Sequence, residues 1–337
     1  MHLDLRVQRS VVVNLSRRPL TAEAGPFVLG LDPGSRDLGV NYATPRPGVA
    51  ITAADVRALI TTFRSHDRVP RLEYVTAAAP GLESLLADAG FTVEARHDYL
   101  ICAPGSLVAP PRPADPLRVL TGSAVTAGSV ASSRSAMASG STEAAGSGMA
   151  PGSVAALGSV PPADPVPPTD PVPPINSVPP TGSGPQTGRV AAGGVGASGF
   201  DVREPRDDAD RAALVAAQNE AFGGDPVATA AHTARLARVQ AQGGVVLMAV
   251  AADGTCAGGG LAVAPHDGVS EVAGIAVRPA FWRRGLAAAI TAGITARLHA
   301  AGADVPWLEA SGADSSRVYE RIGYRPAGQR LYLTLTG

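Results

Sequence analysis

The chain has 337 residues, enough for two modest domains, and a formal net charge of −1. That balance excludes a global basic field for nucleic acid or an anionic membrane surface, and no run has the length and apolarity of a membrane span. All 28 basic residues are arginine; without lysine there is no Schiff-base or pyridoxal-phosphate chemistry and no phosphate loop closing on Gly-Lys-Ser/Thr.

The N-terminus scatters apolar residues (Val11 to Val13, Leu15) without the long hydrophobic core and small-residue cleavage site of a signal peptide, so the cytoplasm is the expected location. Phe27 to Leu31 reads as a strand. Thr52 caps a helix, with Asp55 three residues on as a capping box. Val56, Leu59, Ile60 and Phe63 then fall on one helical face. Arg71 to Val75 reads as a strand, and Leu82, Leu85, Leu86 and Ala89 form a helical stripe closed by Gly90. Phe91 to Ala95 and Tyr99 to Cys102 read as a final hairpin. Together these make an α/β domain over residues 1–109.

Residues 110–198 hold Ser/Gly/Ala/Pro runs and the near-repeat Asp164-Pro-Val-Pro-Pro and Asp170-Pro-Val-Pro-Pro. Such composition buries too little apolar surface to offset the entropy of ordering, which predicts a disordered linker. From Phe200 the chain becomes compact again, giving a second domain over 199–337. Phe200 to Arg203 is a short strand, and Asp208 to Phe222 and Pro226 to Gln242 are helices. Val245 to Ala251 and Cys256 to Val263 form a hairpin with a type I′ turn signal at Asp253-Gly254. Val269 to Val277 is a strand. Ala287 to Ala301 is a helix, with Leu286, Ile290, Ile294 and Leu298 at intervals of four and Gly302 as C-cap. Trp307 to Ala310, Asp314 to Ile322 and Leu331 to Leu335 follow as strand, helix and strand.

The most informative stretch joins the strand ending at Val277 to the helix from Leu286 through Pro279-Ala-Phe-Trp282-Arg283-Arg284-Gly285. A strand, a tight Arg/Gly turn and a helix start make a cradle for a pyrophosphate. Backbone N–H groups at a helix N-terminus have no internal partners, and the helix dipole favours an anion there. Gly285 permits close approach because it has no side chain.

The element order β-α-α-β-β-β-α-β-α-β and these motifs resemble the general-control-related N-acetyltransferase (GNAT) superfamily over residues 200–337. Its acetyl-CoA signature, a strand ending in Val-x-Pro and then Arg/Gln-x-x-Gly-x-Gly/Ala, is matched by Val277-Arg278-Pro279 and Trp282-Arg283-Arg284-Gly285-Leu286-Ala287. Its Tyr followed four residues later by Gly-aromatic is matched by Tyr319 and Gly323-Tyr324. The resemblance implies a mixed, mostly antiparallel sheet flanked by helices, an α+β arrangement. Two positions depart from the pattern: Trp282 stands at the Arg/Gln position, and Gly312 stands where an Asn is common.

The resemblance further implies direct acetyl transfer from acetyl-CoA to an amine on a small molecule or protein. The backbone of Ile275, Ala276 and Val277 would pair with the pantetheine arm like an added strand. The amides of Arg283, Arg284, Gly285, Leu286 and Ala287 would hold the pyrophosphate. The side chains of Arg283 and Arg284 either contact phosphate or are solvated surface charge. Tyr319 is the candidate acid for the departing thiolate, against a packed helix aromatic. Glu271 is the candidate general base, against a salt-bridged or solvated strand end. Strand alternation would put Glu271, Ala273, Ile275 and Val277 on one face, and an apolar groove would raise the Glu271 pKa. Glu220, Phe222 and Glu309 are candidate acceptor contacts. His232, His266, Cys102 and Cys256 lack metal-ligand spacing, so no metal is expected. A catalytically silent acyl-CoA-binding regulatory module is the alternative reading.

Residues 71–95 read as a faded copy of residues 307–328. Aligning Gly90 with Gly323 puts Leu86 where Tyr319 stands, and no Arg/Gly cradle precedes it. The first domain then resembles a degenerate GNAT half, or is an unrelated partner domain. A competing motif, Val28-Leu-Gly-Leu-Asp32-Pro-Gly34-Ser35, resembles the first strand and turn of ribonuclease H-like nucleases, whose Asp binds a metal. There a second strand should follow, whereas Asn41 to Pro47 reads as a loop, and the neutral chain lacks a basic footprint for nucleic acid.

Overall fold

The computed structural model describes residues 2–110, 199–310 and 312–336, so the expected linker lies outside the described residues beyond its first position. The first half runs α1 (Leu3–Ser16), β1 (Leu20–Ala24), β2 (Phe27–Leu31), β3 (Tyr42–Pro45), α2 (Ala53–Ser65), β4 (Arg71–Val75), α3 (Leu82–Asp88) and β5 (Thr92–Ile101). The second half runs β6 (Phe200–Arg203), α4 (Asp208–Ala221), α5 (Ala230–Ala241), β7 (Val245–Ala251), β8 (Cys256–Ala262), β9 (Val269–Val277), α6 (Leu286–Ala300), β10 (Val305–Ala310), α7 (Ala313–Arg321) and β11 (Arg325–Thr334).

All these strands form one 11-stranded sheet in the order β1-β2-β3-β4-β11-β5-β10-β9-β8-β7-β6. The two halves exchange their last strands. β11 pairs antiparallel with β4 and β5, and β5 pairs antiparallel with β10. Counting outward from the β11–β5 pair, β4 answers β10 and β3 answers β9, and both of these neighbouring pairs are parallel. The expected echo between residues 71–95 and 307–328 is therefore an internal repeat of the fold. In each copy a strand, a short helix and a positive-φ glycine (Gly90, 90°; Gly323, 104°) lead into the exchanged strand. At Gly323 a Cβ would also run into the Ser106 backbone.

Helices cover both faces. On one face, α2 and α3 bury Val56, Leu59, Phe63, Leu82 and Leu86, and α6 buries Leu286, Ile290, Ile294 and Leu298. The other face carries α1, through Val7, Val11 and Leu15, and α4 with α5, through Leu214, Val215 and Leu236. Spacing by threes and fours puts each set on one helical stripe. The Thr52–Asp55 capping box forms as expected.

Several expectations are corrected. The hairpin read at 91–102 is one continuous strand. Arg96, His97 and Asp98 look like turn residues, yet β5 is central, and His97 is buried against Glu309 with Nδ1 3.1 Å from its Oε2. The segment at 41–47, expected to be a loop, contains β3. Its Pro45 sits at the strand end opposite Phe27, where a missing donor is tolerated. The 253–254 turn is not type I′, because only Gly254 has positive φ (87°) whereas that turn needs it at both central residues. The last strand begins at Arg325 rather than Leu331, since β4 and β5 bury it on both edges. Residues 3–16, left unassigned by the sequence, form α1.

Candidate active site

The cradle has the geometry its sequence implies. Gly285 (φ 72°) is the N-cap of α6 and offers no side-chain cap, and Arg283 also has positive φ (61°). Left-handed residues on either side of Arg284 turn N–H groups toward a concavity of the kind that makes an anion-binding nest. The amides of residues 283–287 find no protein acceptor among the described residues. Trp282 is exposed, and its indole Nε1 donates to the Val277 carbonyl at 2.6 Å, tying the turn to the end of β9.

β9 carries a bulge where Gly274 and Ile275 oppose Gly260 on β8. Gly274 has φ 63°, and its carbonyl accepts from Gln218 Nε2 at 2.7 Å. The bulge breaks the alternation expected along β9. Ala273 packs toward α4, whereas Ile275 and Val277 pack toward α6, so the four residues do not share a face. β9 and β10 pair only through Val269–Val305, Ser270–Pro306 and Glu271–Trp307. Beyond that point they diverge, and the β10-facing edge of residues 272–277 has no strand partner among the described residues.

A cavity of about 520 Å³ reaches this gap and is lined by both halves, including Tyr42, Glu73, Phe222, Glu271, Ile275 and Tyr319. Its floor is a buried ionic cluster on the α1 side of the sheet. Arg330 of β11 binds Glu309 and lies 3.3 Å from Glu73 and 4.0 Å from Glu271. Arg71 binds Glu73 and reaches Glu94 at 2.9 Å. Tyr332 donates to Glu309. Burial pushes Glu271 up to about 7 against the pull of Arg330. Burial also acts on Glu309, but Arg330 and its hydrogen-bonded neighbours outweigh it and hold Glu309 below the usual range. Burial raises the Tyr319 phenol to about 12.

Residues 241–333 match the family model described as FR47-like protein. A solved GCN5-related N-acetyltransferase from Kribbella flavida superposes with a TM-score of 0.63 at 20% identity, covering 100% of this chain and 97% of that one. A GCN5-related N-acetyltransferase from Sphaerobacter thermophilus superposes with a TM-score of 0.50 at 13% identity, covering 99% and 91%. No curated protein matches this chain. The chain has the GNAT fold, with an FR47-like domain at 241–333.

In this GNAT fold the cavity brings together Glu271, Ile275, Phe222, Glu309 and Tyr319 from the residues picked out in the sequence. Ala276 and Val277 continue the open edge of β9, and Leu286 and Ala287 form the first turn of α6. Glu220 does not line the cavity; it pairs with Arg278 at 2.6 Å. Arg284 lies over the rings of Phe200 (5.9 Å) and Phe281 (5.4 Å), while Arg283 is exposed. Asp32 shapes its turn by accepting from the Gly34 amide at 2.9 Å, and no group of three metal-ligating side chains occurs among the described residues. No helix among the described residues is long and apolar enough to cross a membrane. Sequence reasoning missed Glu73, Arg71, Arg330 and Gln218. Arg330 meets Glu73 across 257 positions, and no local pattern signals such a pair.

Among the described residues the first half has no second cradle. Its equivalent helix start, at α2, is closed by its own capping box, with Asp55 accepting from the Thr52 amide at 2.8 Å. A fixed carboxylate there takes the place a ligand anion would need.

Proposed function

We propose that this chain is an N-acetyltransferase that moves an acetyl group from acetyl-CoA to an amine in a direct ternary complex. The observation carrying this reading is the nest at 283–287 lying beside an unpaired strand edge and a cavity that holds a protonated phenol and a high-pKa carboxylate. The open amides of residues 283–287 suit a pyrophosphate, and the edge of Ile275 to Val277 suits an amide-bearing arm laid along it. When bound, acetyl-CoA supplies the activated acyl group.

The chain's own residues supply the proton chemistry. Glu271, with a pKa near 7, accepts the proton from an incoming ammonium, directly or through water, and so delivers a neutral amine. Tyr319 keeps its Oη proton at neutral pH and donates it on the leaving-group side. Arg330 holds Glu271 and Glu309 in place without contacting the acceptor. The two free thiols, both buried, accord with a reducing compartment such as the cytoplasm.

Calorimetry with acetyl-CoA, followed by thiol release across an amine panel, tests the proposal. The expected result is binding and amine-dependent release. No binding overturns the reading. Binding without turnover on any amine favours an acyl-CoA-binding regulatory module.

A further inference from the structure

The cavity is charged unevenly. At its floor, Arg330 and Arg71 meet Glu73, Glu94, Glu271 and Glu309 in a paired network. The lining also carries Arg17, Arg18, Arg235 and Arg238, of which Arg18 acts electrostatically on Arg235. Arg18 donates to the Val40 carbonyl at 2.8 Å and lies 5.5 Å over the Tyr42 ring, and Arg17 donates to the Ala264 carbonyl at 3.2 Å. The side chains of Arg235 and Arg238 have no hydrogen bond and no ion pair among the described residues.

Asp32 and Asp37 also line the cavity and pull on Arg235. Asp32 Oδ1 accepts from the Gly34 amide at 2.9 Å, and Asp37 Oδ1 from the Gly39 amide at 2.7 Å. Burial and the neighbouring Arg18 bring Arg235 down to about 10, so it stays charged at neutral pH in a place that disfavours charge. A guanidinium that lines a cavity without a side-chain partner suits a ligand that brings an anion to it. The charge of Arg18 acts on both Glu271 and Arg235. A volume of about 520 Å³ suits one small molecule reaching both.

Resting on the acetyltransferase reading above, we propose that the acceptor is a small amine that also bears an oxyanion, a carboxylate or phosphate, held by the Arg235 end while the amine faces Glu271. The planar guanidinium fork matches either oxyanion bidentately. The site would therefore select aminocarboxylates or aminophosphates over neutral amines of the same shape.

The test is calorimetry on the full chain, with and without coenzyme A, using matched pairs. Glycine, β-alanine, 4-aminobutyrate and glutamate are each compared with their carboxamides, and O-phosphoethanolamine with ethanolamine. At least one anionic member is expected to bind about tenfold tighter than its neutral twin, as for a charge-assisted bidentate contact. The pair that differs identifies carboxylate or phosphate. The advantage should vanish in Arg235→Gln and return in part in Arg235→Lys, with coenzyme A affinity unchanged in both. No preference in any pair of the unmodified chain overturns the proposal whether or not the variants fold, as does a preference untouched by Arg235→Gln. Thiol release separates this idea from the one beneath it. Anionic amines that bind but are never acetylated sink the transferase reading and leave the anion site standing. Equal acetylation of neutral and anionic twins does the reverse.

Discussion

Glu271 and Tyr319 belong to opposite faces of one sheet and line the same cavity. Glu271 points toward the ionic cluster on the α1 side, and Tyr319 packs with the α6 cluster. They reach one cavity where β9 and β10 part after Glu271 and Trp307. In the proposed reaction this puts the proton acceptor on one side of the gap and the proton donor on the other, as acyl transfer to an amine requires.

Replacing Tyr319 with Phe removes one oxygen and leaves the ring packing. Turnover should fall by about 10²-fold, within the usual range for a lost general acid, with acetyl-CoA affinity unchanged. Unaltered turnover in steady-state thiol release would remove Tyr319 from the mechanism.

Glu271 makes activity and stability oppose each other. Activity should rise with pH through about 7 as the carboxylate ionises, and Glu271→Gln should abolish that limb. Its folded pKa lies above its unfolded value, so the folded state binds the proton more tightly. Its stabilising contribution is therefore full in acid and lost as pH rises through about 7. Glu271→Gln should accordingly be more stable than the parent at pH 8, by on the order of 1–3 kcal/mol, with the gap closing in acid. Urea titrations at the two pH values check this; a gap independent of pH contradicts it.

Gly285 should tolerate no side chain. At φ 72° a β-branched residue is strained by about 1–2 kcal/mol, which works against the left-handed turn that forms the nest. Gly285→Val should weaken acetyl-CoA binding about tenfold or more in calorimetry, while leaving the affinity of any acceptor amine unaffected.

The exchanged strands make the halves depend on each other. Residues 199–337 alone would leave β10 without β5 and uncover Trp307, which is fully buried. Fragments 1–110 and 199–337 should each aggregate or stay unfolded by circular dichroism when separate. Mixed during refolding, they should give one cooperative transition. A cooperative transition from either fragment alone would contradict the coupling.

The elements legible in the sequence are those whose signals are local. Helix α6 was legible from Leu286, Ile290, Ile294 and Leu298, α2 from Thr52 and Asp55, and the cradle from an Arg/Gly turn between a strand and a helix. Such patterns need only a few neighbouring residues, because capping and amphipathic burial act within a turn or two. Tertiary structure alone decided the strand exchange, the bulge at Gly274 and the ionic floor. Strand partners carry no pairing code that local composition can reveal, and β5 reads as a hairpin until both its neighbours are known. Arg330 looks like a surface residue in sequence. It is buried because β11 crosses into the first half, where Glu73 supplies part of the charge that makes its burial tolerable.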